Sequence, residues 1–409
     1  MNNQFRNYLL STILCLSFFS ASAFSFDKKK EQNVKQAVNL YPSYNTDPIP
    51  ADLSGMGSIA VQLASKMRLG LNIGNTMEAT GGETAWGNPK ITKALIDAVK
   101  ANGFNAVRIP CAWNQYQENT ATAKLKTEWL NRVKEVVQYC VDKDMYVIVN
   151  IHWDGGWLEN NINEGKKAEN NARQKAFWEQ IATHLREFDE HLLFAGANEP
   201  AVEDETQMAV LTSYHQTFID AVRSTGGKNT YRTLIVQGPT TDIGKTNKLM
   251  TTLPVDTTPK RIMVEVHYYT PWNFAGLTKD ESWGKMFYYW GTGFHSGKDK
   301  ERNASGGESD LEKNFKLMKT QFVDRGIPVI LGEFGAIRRT TLPKDVLTLH
   351  LASRAHYLKN VVQKAKSNGL VPFYWDEGRI GNNGFGIFRR SDNTVFDTQV
   401  LNALQEGLQ

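Results

Sequence analysis

Leu192-Leu193-Phe194-Ala195-Gly196-Ala197-Asn198-Glu199-Pro200 is the stretch that decides the fold. Six small or apolar residues form a run too short for a helix, and the run ends in Asn-Glu-Pro, where polar and turn-forming residues take over. A strand that is apolar at every position is buried on both faces, as in a parallel sheet. The same pattern recurs at residues 69–74, 106–110, 145–151, 234–238, 262–268, 328–332 and 371–374. Between the runs lie amphipathic segments at 88–102, 127–144, 170–188, 205–224, 311–325 and 347–368, which read as helices. Lys100-Ala101-Asn102-Gly103 and Ser367-Asn368-Gly369 end two of these helices with glycine just before a strand. Eight strand–helix units close into a (β/α)8 barrel, the TIM barrel of the α/β class, as one domain over residues 55–409. The competing architecture is a doubly wound open sheet. It expects a Gly-rich turn after its first strand, and Gly74-Asn75-Thr76 does not supply one.

Composition narrows the function. The 409 residues are 41% hydrophobic and 22% charged, with a net charge of +4 spread along the chain. That excludes the clustered basic footprint of a nucleic-acid binder. At the start, Arg6 precedes an apolar stretch over residues 8–20, and Ala21-Ser22-Ala23 fits a small-x-small cleavage site. Residues 1–23 therefore read as a signal peptide, with export to the periplasm, the cell surface or the medium. No later stretch is apolar over about 18 residues, so the mature chain is expected to carry no membrane span. Residues 24–54 are polar, with Lys28-Lys29-Lys30 and three prolines, and read as a linker or extended arm. Cys111 falls at the upper end of a strand and Cys140 near the lower end of the next helix. That separation predicts two buried free thiols rather than a disulfide.

The chemistry of an α/β barrel sits where its strands end, because the βα loops open there. Read in order, the ends present Asn72 and Asn75; Arg108; His152, Trp153 and Asp154; Asn198 and Glu199; Gln237; His267 and Tyr269; Glu333; and Trp375 with Asp376. Two carboxylates, Glu199 and Glu333, close the fourth and seventh runs. Glycoside cleavage needs such a pair, one to protonate the leaving oxygen and one to attack the anomeric carbon or activate water. Ten Trp is a high count, and Trp86, Trp157, Trp272 and Trp283 lie in loops where flat rings serve as platforms for sugars. About forty residues follow Tyr269 without a clear helix but with many aromatics, which predicts one wall of a cleft.

The segments Phe194-Ala-Gly-Ala-Asn-Glu-Pro200 and Ile330-Leu-Gly-Glu-Phe-Gly335 resemble the acid/base and nucleophile motifs of glycoside hydrolase family 5. Val107-Arg-Ile-Pro110, Asn150-Ile-His152, His267-Tyr-Tyr269 and Tyr374-Trp375 follow in register, over nearly all of residues 66–400. Gly70-Leu-Asn-Ile-Gly-Asn-Thr76 with Glu83-Thr-Ala-Trp-Gly-Asn-Pro89 looks like the subgroup of endoglucanases, xyloglucanases and broad β-glucanases. The resemblance implies Glu199 as acid/base and Glu333 as nucleophile. It implies Asn198 on the sugar 2-hydroxyl, Arg108 and Tyr269 around Glu333, and His267 near the acid/base. His152 would meet a hydroxyl of the −1 sugar, and Trp375 would form that subsite's floor. Asn72, Trp153, Trp157 and Trp272 complete the expected substrate contacts. Two positions depart from the pattern: Trp153, where many relatives have His, and Glu377, where Asn is common. Both bear on subsite preference.

The implied activity is endo-hydrolysis of β-1,4-glucan or xyloglucan by a monomer that needs no metal or other cofactor. A mannan or xylan hydrolase of the same mechanism stays open, because mannose inverts the 2-hydroxyl that Asn198 would read. A non-catalytic sugar-binding barrel is disfavoured by the presence of both carboxylates. Metal hydrolysis is disfavoured because none of the eight His form a His-x-His pair.

Overall fold

The computed structural model describes residues 40–409; the expected signal peptide and the first part of the arm lie outside them. Eight parallel strands close into a barrel in sequential order. They are β1 (Gly70–Ile73), β2 (Ala106–Ile109), β3 (Tyr146–Asn150), β4 (Leu192–Ala195), β5 (Leu234–Gln237), β6 (Ile262–Tyr268), β7 (Val329–Phe334) and β8 (Leu370–Asp376). Nearly every strand residue is buried, because the interior fills one face and the helices cover the other. The helices are α1 (Ala60–Lys66), α2 (Lys93–Ala101), α3 (Thr127–Val141), α4 (Glu164–His184), α5 (Glu205–Ser224), α6 (Ile243–Leu249), α7 (Trp272–Ala275), α8 (Glu308–Gln321), α9 (Lys344–Ser367) and α10 (Thr398–Glu406).

All eight expected strands are present, and two of them run further at their upper ends than the apolar runs suggest. Strand β7 continues through Glu333, and β8 continues through Trp375 and Asp376. Parallel pairing holds these polar residues in the ladder: His267 stands opposite Glu333, and Asn72 opposite both Arg108 and Trp375. Helix α4 begins at Glu164, earlier than the apolar pattern shows. Asn163 caps it by accepting from the Lys166 N–H, and its first turn is polar. The short helices α6 and α10 are likewise started by Asp242 and Asp397.

Two hydrophobic layers follow. One joins the outer strand faces to the helices. The other fills the barrel, from Ile148, Leu193, Ile235, Met263, Ile330 and Phe373, and is closed by Ala60, Leu63, Ala64 and Met67 of α1 and its end. The bottom is thus plugged by a helix, and the polar groups gather at the opposite mouth. Cys111 and Cys140 are both buried and free.

The described part of the arm is fastened to the barrel's flank and is not a loose linker. Glu179 of α4 accepts from the Ser43 hydroxyl at 3.1 Å and from the Tyr44 N–H at 2.6 Å. Ile49 bridges to Gly226 just after α5. Leu63 is 1% exposed inside the plug. Truncating a buried leucine removes its transfer free energy and leaves a cavity, so Leu63→Ala is expected to lower unfolding stability by about 2–5 kcal/mol. Urea unfolding of the two proteins checks this; equal midpoints would show that the plug does not seal the core.

Candidate active site

The mouth is organised around Arg108 at the end of β2, whose side chain has no solvent exposure. Its Nε pairs with Glu265 Oε1 of β6 at 2.9 Å, and its Nη1 pairs with Glu333 Oε1 of β7 at 2.9 Å. Nη1 also donates to Asn72 Oδ1 at 3.0 Å, and Nη2 donates to Asn198 Oδ1 at 2.8 Å. A guanidinium stays charged in a protein, so burying it demands anionic and amide acceptors in these directions.

The nucleophile candidate, Glu333, is 6% exposed. Tyr269, just beyond β6, donates its hydroxyl to Glu333 Oε2 at 3.0 Å. Burial pushes the Glu333 carboxyl up, and the His267 and Arg108 charges oppose that. The Glu199 side chain is 38% exposed. Its Oε1 meets His267 Nδ1 at 2.7 Å and accepts from the Thr241 hydroxyl at 3.4 Å. Burial raises Glu199, but the hydrogen bond and charge of His267, together with Arg108, hold it below the usual range.

His267 therefore joins the two carboxylates. Its Nδ1 is 3.7 Å from Glu333 Oε2, and its Nε2 is 3.3 Å from Glu265 Oε1. Burial alone would lower the imidazolium, but the Glu333 charge and the bonds to Glu199 and Glu265 prevail and raise it to about 10. His152 is the opposite case. Burial, then Arg108 and His267, keep it neutral. The Asn150 amide donates to His152 Nδ1 at 3.2 Å, which leaves the proton on Nε2. The His152 ring stacks on Trp375, with centroids 5.9 Å apart and planes within 8°. Gly74 lets that indole lie flat against β1, since a Cβ there would come within 2.8 Å of the ring.

The expected residues do not all have the expected role. Glu199, Glu333, Asn198, His152, His267, Tyr269 and Trp375 do gather at one mouth. Asn72 is fully buried and gives its amide to the Gly332 carbonyl, so it braces Arg108 and has no face for a sugar. Arg108 likewise acts on Glu333 and Asn198 from below. Trp157 lies in the core rather than on the cleft wall: its N–H donates to Asp154 Oδ2 at 2.7 Å and its ring packs edge-on to Phe177. Trp153, Trp86, Trp272 and Trp283 are exposed, from 39% to 64%. Of the long loop after β6, only Trp272 and Trp283 are open in this way. Phe274, Tyr289 and Trp290 are buried, and Phe274 and Trp290 anchor the loop against Tyr357 of α9. Asp376 is buried, accepting from the Ile387 and Phe388 N–H groups and from Arg390, so it is no solvent-facing acid.

Two functional neighbours were not anticipated. Glu265 bridges Arg108, His267 and Gln237, the last at 2.6 Å, and fills the space over Gly332, where a Cβ would lie 2.0 Å from its oxygen. Its signal is visible in hindsight as the lone acid inside an apolar strand, two positions before His267. Glu159, in the loop after β3, accepts from the Glu199 N–H at 3.1 Å and gave no such signal.

A family model described as Cellulase (glycosyl hydrolase family 5) matches residues 72–380. The chain belongs to glycoside hydrolase family 5 and is a glycoside hydrolase. It is 37% identical over 393 residues to the xyloglucan-specific endo-beta-1,4-glucanase BoGH5A of Bacteroides ovatus, covering 92% of this chain and 76% of that protein. It is 34% identical over 397 residues to endoglucanase A of Paenibacillus barcinonensis, covering 91% and 96%. The solved Bacteroides ovatus GH5 xyloglucanase in complex with a XXXG heptasaccharide superposes with a TM-score of 0.82 at 36% identity, over 90% of this chain and 80% of that one. Family 5 membership suits the donor set. Glu199, His267 and Glu333 lie close enough to hold a cation. A protonated His267, with both N–H groups directed at carboxylates, has no lone pair for one.

The raised His267 has a consequence for stability. Its unfolded value is ~6.5, and its folded value is about 10. The stabilisation is complete below about pH 6.5 and is lost as pH rises through 10. The stability advantage of the wild type over His267→Gln is therefore expected to narrow between pH 7 and pH 10 in chemical denaturation. A gap that stays constant across that window would contradict a charged His267.

Proposed function

We propose that this family 5 enzyme is a retaining, endo-acting β-1,4-glucanase of xyloglucan or unbranched glucan, with Glu333 as nucleophile and Glu199 as acid/base. The observation that carries the mechanism is that one oxygen of Glu199 and one of Glu333 lie within 4.8 Å of each other. Retaining pairs stand ~5–5.5 Å apart, and inverting pairs ~6.5–9.5 Å, because the latter must seat a water.

In the first step Glu333 attacks the anomeric carbon and Glu199 gives its proton to the departing glycosidic oxygen. The second step returns both groups to their starting states: Glu199 takes a proton from water, and that water breaks the glycosyl–Glu333 bond. Substrate binding helps set the protonation. A sugar over the mouth desolvates the exposed Glu199 much more than the already buried Glu333, which favours the neutral acid at Glu199. In the free site the proton of the 2.7 Å Glu199–His267 pair rests on His267, and the desolvation that the sugar brings moves the balance toward Glu199. Asn198 has its carbonyl taken by Arg108, which leaves its amide to donate to the sugar 2-hydroxyl. His152 Nε2–H and the Trp375 face are the remaining −1 contacts.

The Bacteroides ovatus relative, named for xyloglucan and solved with a XXXG heptasaccharide, supports a branched glucan as first choice, and exposed Trp86, Trp272 and Trp283 supply flat rings for it. Export through residues 1–23 fits a polymeric substrate that does not enter the cell, and the chain is read as a monomer. Among the described residues no helix is long and apolar enough to cross a membrane.

Initial rates on xyloglucan, carboxymethylcellulose, glucomannan and xylan, with product sizing, test the substrate. Xyloglucan is expected to be cut fastest, with early products of mixed length. Faster cleavage of mannan or xylan, or a single short product from the outset, overturns the assignment. Glu333→Ala is expected to lower kcat by ~10⁴-fold or more on every polymer.

A further inference from the structure

The mouth holds a further carboxylate that neither the two-step chemistry nor the Arg108 network uses. Glu159 follows the turn after β3, and it grips the acid/base segment twice. Its backbone carbonyl accepts from the Ala201 N–H at 2.9 Å. Its Oε2 accepts from the Glu199 N–H at 3.1 Å and from the Asn198 amide at 3.5 Å. Among the described residues no Lys, Arg or His lies within ion-pair distance of it. An ionised carboxylate half-buried behind another carboxylate without a cation is electrostatically unfavourable.

Glu199 is otherwise surrounded by groups that work against an acid. His267 of β6 touches it, and Arg108 of β2 lies beneath it; both favour its ionised form. Glu265 of β6 is spent on Arg108 and His267, and Glu333 of β7 on Arg108 and Tyr269. From the β5 side comes only the Thr241 hydroxyl; Lys245 of α6 is paired with Glu203 at 2.6 Å. Glu159 is the remaining negative charge against the segment.

We propose that Glu159 is a positioning residue for the general acid: it fixes the Asn198–Glu199 backbone, and its negative charge keeps a proton on Glu199 while the leaving oxygen needs it. The inference rests on Glu199 being the acid/base. Burial, with the Glu199 and Glu333 charges, raises the Glu159 carboxyl to about 7. Its charge therefore develops in the range where a general acid would otherwise be losing its proton.

The test compares Glu159→Gln, Glu199→Ala and wild type on xyloglucan and on an aryl β-cellobioside whose dinitrophenolate leaves without protonation. Glutamine keeps an oxygen for the Glu199 N–H and removes only the charge. In Glu159→Gln, kcat on xyloglucan is expected to match wild type below pH 6, and its alkaline limb to move down by about one pH unit. At pH 8 that is about a tenfold loss, with the activated glycoside changed less than twofold. A Glu159→Gln profile parallel to wild type at all pH, in a protein with unchanged melting temperature, assigns Glu159 to structure alone and overturns the proposal. Glu199→Ala separates the two readings. Loss of kcat/KM on xyloglucan with kcat/KM for the activated glycoside retained, a ratio that reports only the first step, upholds the acid on which the proposal stands, and equal losses in both ratios refute that acid.

Discussion

A fully buried guanidinium governs this active site. Arg108 cannot shed its charge, so four acceptors from four strands or their ends must converge on it: Asn72, Asn198, Glu265 and Glu333. Removing any one acceptor leaves part of an ion unsolvated, and removing the arginine leaves two buried carboxylates facing each other. The barrel supplies the rigidity that this convergence needs. Its strands are hydrogen-bonded all the way round, its interior is packed below by α1, and the polar layer is confined to the last residues of each strand.

From that centre the two glutamates diverge in character. Glu333 is held from below by Arg108 and from the side by Tyr269. Glu199 is reached through His267 and stays open to solvent. The asymmetry is one of exposure, 8% against 38% of the side chain, and in the proposed mechanism it is what assigns two chemically identical groups different tasks. His267 couples them, and Glu265 holds His267 and Arg108 at fixed positions relative to each other.

Much of this was legible in the residues alone, for physical reasons. Continuous apolar runs bounded by polar ends specify parallel strands buried on both faces, and the barrel mouth follows from where the runs stop. Glu199 and Glu333 were readable because strand ends are where side chains reach the βα loops. Depth was not readable. Asn72 and Glu333 both sit near strand ends, yet one is sealed under Arg108 and the other meets the cleft, a difference set by strand stagger that spacing does not encode. Trp157 was misplaced for a related reason, since an aromatic residue in a loop serves equally well as a platform or as a wedge, and Asp154 and Phe177 draw it inward. Glu265 was hidden because burial of a lone acid makes sense only once Arg108 is known to lie beside it. Glu159 sits in an ordinary polar loop and acquires meaning only from the backbone it touches.

The proximity of the Glu199 and Glu333 oxygens is what separates the proposed retention from inversion. The most direct measurement is proton NMR of the reducing end during the first minutes of oligosaccharide cleavage, before mutarotation. Retention requires the β-anomer to appear first and the α-anomer to grow only at the rate of spontaneous equilibration. An α-anomer formed first would mean that a water, and not Glu333, attacks the sugar.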